Sequence, residues 1–115
     1  MPTLIVMVAV VLAALSLPAQ ANDPTILACK RFLTSEFPED LGQAMALGEC
    51  LGTINTLSAV TDFLRPDRKP CVPPSVTIEQ VMRVIIAYIE RHPQRTEHFS
   101  VLGIDALREA WPCKK

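Results

Sequence analysis

Few side chains in this sequence have the means to do covalent or acid–base chemistry. Four cysteines, Cys29, Cys50, Cys71 and Cys113, and two histidines, His92 and His98, are the main candidates. A zinc ribbon or a thioredoxin-like centre needs a C-x-x-C pair, and no two cysteines here are spaced that way. A cysteine nucleophile needs a free thiolate, which cystine formation removes. His92 and His98 are six residues apart near a helix junction; without thiolate partners they read as a turn histidine and a surface histidine. Ser58, Ser75 and Ser100 stand in no G-x-S-x-G setting. The carboxylates Glu49, Asp62, Asp67 and Glu79 read as solvated faces rather than a catalytic pair, and no glycine-rich phosphate loop exists. The expectation is a protein that is not an enzyme, with no cofactor and no metal. The remaining chemistry is the cross-linking of the cysteines themselves.

Cross-linking requires an oxidising compartment, and the N-terminus supplies a route to one. Residues 4–17 carry no charge, and Leu4 to Leu12 are continuously apolar. Pro18-Ala19-Gln20-Ala21 follows, with alanine at both positions of an A-x-A cleavage site. This pattern predicts a signal peptide over residues 1–21, removed after Ala21, although no Lys or Arg precedes the apolar run. The run is shorter than the roughly 20 residues that span a bilayer, and no cysteine follows it closely enough for a lipid anchor. A periplasmic domain of residues 22–115 is expected, without membrane attachment after cleavage. All the charged residues fall within it, so its net charge is −1, which supports neither a nucleic-acid surface nor a polybasic membrane patch.

Prolines divide this domain into four segments with helical periodicity, and no run alternates with period two. The first helix should begin at Asp23-Pro24, with a capping carboxylate and proline at the first position, and end before Phe37-Pro38. The second should run from about Pro38 to Leu64, with Leu47, Leu51, Ile54, Leu57 and Leu64 on one side. Gly48 and Gly52 flank Cys50 there, and two glycines in one helix predict a close approach by a neighbouring helix. The third helix should start at the capping box Thr77-Ile78-Glu79-Gln80 and stop near Arg91-His92-Pro93. The fourth should span about Gln94 to Trp111, with Phe99, Leu102, Ala106 and Ala110 at the helical period. The fold class is therefore all-α: a small four-helix up-down bundle.

This topology selects one of the three ways to pair four cysteines. With the first helix folded back on the second around Phe37-Pro38, Cys29 is nine residues before the turn and Cys50 twelve after it, within two helical turns of level. Up-down packing returns the end of the fourth helix to the end of the bundle that holds Cys71. Cys29–Cys50 and Cys71–Cys113 are the expected cystines.

Two surface features are candidates for contacting a partner. The first is the proline-bounded loop with Arg65, Asp67, Arg68 and Lys69, whose stiffness limits the entropy lost on binding. The second is Ile86, which falls near Glu79 and Glu90 on a helical wheel, an apolar residue on the polar side of the third helix.

The ordered set Cys50-Leu51-Gly52, Cys71-Val72-Pro73, Val76-Thr77, Tyr88 with His92-Pro93, and Pro112-Cys113 resembles the Rap/Tai family of immunity proteins from type VI secretion systems. The likeness covers roughly residues 25–113. The chain departs from the family at Thr53, where an aromatic is common. The resemblance implies a periplasmic, helical, disulfide-bonded protein that binds a peptidoglycan amidase effector and occludes its active site, in some members as a homodimer. The alternative for such a scaffold is a small periplasmic helical chaperone, or general envelope binding protein, of the acid-resistance type.

Overall fold

A computed structural model describes residues 23–114; the expected signal peptide and its cleavage site lie outside the described residues. Among the described residues there are four α-helices: α1 (Pro24–Leu33), α2 (Leu41–Val60), α3 (Ile78–Arg91) and α4 (Phe99–Ala110). Among the described residues there is no strand, only an isolated antiparallel bridge between Pro70 and Pro112. The helices form two hairpins, α1–α2 and α3–α4, packed against each other.

The start of each helix is set by a side chain. Asp23 accepts hydrogen bonds from the amides of Thr25 and Ile26, at 2.9 and 3.2 Å, and caps α1. Asp40 accepts from the Gln43 amide at 2.8 Å and caps α2. That cap moves the start of α2 to Leu41, three residues beyond the Pro38 expected. The capping box at Thr77 is complete: the Gln80 amide donates to the threonine hydroxyl at 3.2 Å, and the Thr77 amide donates to the Gln80 side chain at 2.8 Å. The largest difference from expectation is at α4, which begins at Phe99 rather than Gln94. His98 caps it by accepting from the Ser100 amide.

Helix ends are equally local. Beyond α1, Ser35 takes a positive φ of 59°. The Glu36 amide then donates to the Arg31 carbonyl and the Ser35 amide to the Phe32 carbonyl, the paired bonds of a Schellman close. Helix α2 ends at Val60 and tightens into a 3-10 turn, Thr61–Phe63, short of the Leu64 expected.

The core lies between the hairpins. Ile54, Met82, Ile85, Leu102 and Leu107 have almost no exposed surface, and the sulfurs of Cys29 and Cys50 belong to the same cluster. Both expected cystines are present, with Cα separations of 5.8 Å for Cys29–Cys50 and 5.0 Å for Cys71–Cys113. The first joins α1 to α2 inside the core. The second ties the loop before α3 to the tail after α4.

Gly48 and Gly52 do not serve the role expected of them. Both are exposed, and an added β-carbon at either would meet nothing within 4 Å. The close approach occurs at Gly103 instead, where a β-carbon would stand 2.8 Å from the Leu57 side chain. Gly103 is therefore the glycine through which α4 packs tightly on α2.

Candidate partner-binding surface

The loop between α2 and α3 is built as a stiff hairpin-like projection. Pro66 occupies the second position of a turn closed by the Arg68 amide donating to the Arg65 carbonyl at 2.8 Å, a position proline favours because its φ is already set. At the base, Pro70 is buried, the Cys71 amide donates to the Trp111 carbonyl at 2.8 Å, and Cys71 is joined to Cys113. The C-terminal tail thus fastens one root of the loop, and α2 holds the other.

The charged side chains on this loop are not equivalent. Arg65 pairs with Asp67 at 3.2 Å, and both are strongly exposed. Lys69 is half-buried and reaches back 3.4 Å to Asp62 in the 3-10 turn. Arg68 is exposed and makes no ion pair among the described residues, so it is the cation of the loop most open to an outside carboxylate. Arg65, Asp67, Arg68 and Lys69 are therefore together in space, with Lys69 partly committed to the fold.

Ile86 is a correction. It is only 6% exposed and belongs to the core. Glu90, one turn further along α3, bonds Lys30 of α1 at 2.9 Å, so α1 lies over this flank of α3. The helical wheel places Ile86 beside Glu79 and Glu90, but α3 packs against α1 as well as α4, and Ile86 is buried with them. Ile86 is not part of an interaction surface.

The histidines act as local fasteners. His92 ends α3 with its ring 4.3 Å from that of Tyr88, and His98 caps α4. Among the described residues, no three His, Cys, Asp or Glu side chains converge as a metal site would require. A cleft of about 360 Å³ opens beside Asp23, Glu49 and Glu97. Two of those acids are already engaged, Asp23 as a cap and Glu97 with Arg95.

Sequence reasoning missed two features. The first is a charged knot at the α3–α4 connection. Arg95 bonds Glu97 and Asp105, each at 2.8 Å, and donates to the Tyr88 hydroxyl. Hydrogen bonding to Arg95 is the main cause that holds the Glu97 carboxyl below the usual glutamate range. The partners lie two, seven and ten residues from Arg95, so no regular spacing announced them. The second is apolar surface: Phe37, Leu41, Met45 and Phe63 are 88%, 76%, 68% and 87% exposed, all on or beside α2. A signal for it existed, because α2 has only one charged residue, Glu49, in 20 positions. That helix is nevertheless not apolar enough to cross a membrane, nor is any other among the described residues.

Together these features define a small helical domain, fastened by two cystines, that presents a stiff charged loop at one end. The sequence pattern of the Rap1a immunity proteins matches residues 28–113, and the chain belongs to that family. No curated protein and no solved structure gives a match. Family membership makes the chain an immunity protein for a secreted effector, whose partner is a protein, and its two cystines suit an oxidising compartment.

Proposed function

We propose that this immunity protein acts in the periplasm, after removal of residues 1–21, by binding a peptidoglycan amidase effector of a type VI secretion system and occluding its active site. The observation that carries the reading is the family match over residues 28–113. The stapled loop at Arg65–Lys69 supports it. A loop whose two roots are fixed before binding loses little entropy when it enters a cleft, and its cations can meet carboxylates at the cleft's rim. No chemistry is required of the immunity protein in this mechanism.

The test is inhibition of a purified amidase from the same bacterium, assayed on peptidoglycan. A tight, saturable block is expected. Arg68→Glu should weaken the block by about tenfold or more, the effect of one opposed charge pair at an interface. The melting temperature should not move, since Arg68 makes no ion pair among the described residues. Lys69→Glu is the less clean variant because it also breaks the contact with Asp62. Unchanged affinity in Arg68→Glu removes the loop from the interface. Suppression of aggregation of unrelated clients at low pH, with no effect on any amidase, assigns the protein to the chaperone class instead.

A further inference from the structure

Thr25, in the first turn of α1, is the one buried polar residue among the described residues, at 7% exposed. Its amide donates to Asp23, but its hydroxyl makes no hydrogen bond among the described residues. Burying a hydroxyl without a partner is costly, so such a group points to something that meets it from outside the chain. Thr25 lines the cleft of about 360 Å³ where α1, α2 and the start of α4 converge.

The rest of the cleft narrows the choice of ligand. Ile26, Phe99 and Leu102 give it an apolar wall. Asp23, Glu49 and Glu97 line it as well, and among the described residues no lysine or arginine does. Asp23 is committed to capping α1, and Glu97 to Arg95. Glu49 is exposed, and its carboxylate makes no ion pair or hydrogen bond among the described residues. One uncommitted negative charge, one uncommitted buried hydroxyl and an apolar wall thus border the same space. An anion there meets three carboxylates and is repelled. A purely apolar group leaves the hydroxyl unmet.

We infer that this cleft is a binding site for a primary ammonium group on a short aliphatic stem. The stem lies along Ile26, Phe99 and Leu102, one N–H donates to the Thr25 hydroxyl, and Glu49 supplies the opposite charge. An ammonium is a compact charge with three donors, which a hydroxyl and a carboxylate can share, and its stem gains from apolar contact while its head stays near water. Two sources carry this chemistry: a lysine side chain of a protein partner, and a free alkylamine. The site is separate from the charged loop, because it lies at the start of α4 and the loop is fastened beyond the end of that helix. It does not rest on the proposed effector.

The probe is n-butylammonium, the head and stem of a lysine side chain, titrated into the disulfide-bonded, exported protein and followed by NMR. Saturable shifts centred on Thr25, Glu49 and Phe99 are expected, with a Kd of about 1–10 mM. Neutral n-butanol should bind about tenfold more weakly or not at all. Glu49→Gln should weaken binding about fivefold. Thr25→Val removes the hydroxyl at nearly constant shape and should weaken binding several-fold without lowering the melting temperature, because no internal hydrogen bond is lost. A second arm separates the sources. If the ammonium belongs to a lysine of the effector, n-butylammonium competes with the effector and Glu49→Gln weakens the complex. If it belongs to a free amine, the effector binds Glu49→Gln as it binds wild type; either result keeps the site. No saturable shift, as for a cleft that takes up only water, overturns the inference. So does equal affinity for n-butanol, or unchanged affinity in either variant. A Thr25→Val chain that melts lower overturns it too, since the hydroxyl then has its partner inside the fold.

Discussion

Helices α2 and α3 take part in the same core, yet they treat solvent in opposite ways. On α3, Val81, Met82, Ile85, Ile86, Tyr88 and Ile89 are buried, and Glu79, Arg83, Glu90 and Arg91 stand outside. On α2, only Cys50, Ile54 and Leu57 are buried, and the outer face holds Leu41, Met45, two glycines and uncharged polar residues. The core takes up most apolar residues of α3, Ile78 at its first position being 42% exposed, but fewer than half of those on α2. An amphipathic helix has spent its apolar side chains on its own core. A helix that stays apolar on its solvent side has surface left for something else.

The largest expected effects separate the two cystines. Cys29 and Cys50 are fully buried in the core, so replacing both by alanine removes a loop constraint worth roughly 3 kcal/mol and also opens a cavity. Cys71 is exposed, and replacing Cys71 and Cys113 should cost only the constraint, roughly 4 kcal/mol at most, while freeing the root of the charged loop. Urea unfolding of the two double variants measures the stabilities, and affinity for the effector measures the loop. The Cys71–Cys113 variant should lose affinity beyond its loss of stability. Equal affinity per folded molecule in both variants would mean that the staple serves the fold alone.

Next come substitutions on opposite sides of α2. Ile54→Ala, in the core, should cost about 2–5 kcal/mol. Met45→Ala, one face away, should stay within about 0.5 kcal/mol at concentrations where the chain is monomeric. A large cost at Met45 would show that the outer face supports the fold, and the contrast with α3 would fail.

The glycines sharpen the same contrast at lower energy. Gly48→Ala and Gly52→Ala each meet open space in mid-helix, and each should stabilise the monomer by about 0.5–1 kcal/mol. Gly103→Ala gains the same helical preference but must push Leu57 aside within a packed core, so it should be net destabilising, by about 1 kcal/mol. Thermal melts of the three variants decide the point. A stabilised Gly103→Ala would mean that the α2–α4 contact gives way easily.

Much of this architecture was legible beforehand, and the parts that were not share a cause. The capping box at Thr77, the Asp23-Pro24 start and the cystine pairing follow from neighbours in sequence or from topology alone. The burial of Ile86 depends on α1 crossing that flank of α3, which no periodicity within α3 encodes. The idle glycines on α2 and the tight one on α4 differ only in what lies opposite them in space. In the candidate site the charged loop was visible because prolines bracket it. The division of labour within it, Lys69 tied to Asp62 and Arg68 without an ion pair among the described residues, depends on the 3-10 turn that replaced the last turn of α2.

The smallest expected effect concerns the connections between paired helices. The α3–α4 turn is held by the Arg95 knot, and the α1–α2 turn by uncharged backbone bonds around Ser35 together with a contact between Thr34 and Glu36. Arg95 holds the Glu97 carboxyl below its ordinary range, so the folded state binds this proton more weakly than the unfolded chain does. The stabilisation from this pair is therefore complete above the unfolded glutamate value, about 4.3. It fades as pH falls through the lowered value in the folded protein. Glu97 is exposed, and added salt should shrink the effect further. Glu97→Gln should flatten the dependence of the urea midpoint on pH below about 4.3 while leaving Glu36→Gln, at the other turn, closer to wild type. If both variants keep the wild-type slope, the Arg95 knot positions α4 without adding to acid stability, and the two connections are equivalent despite their different chemistry.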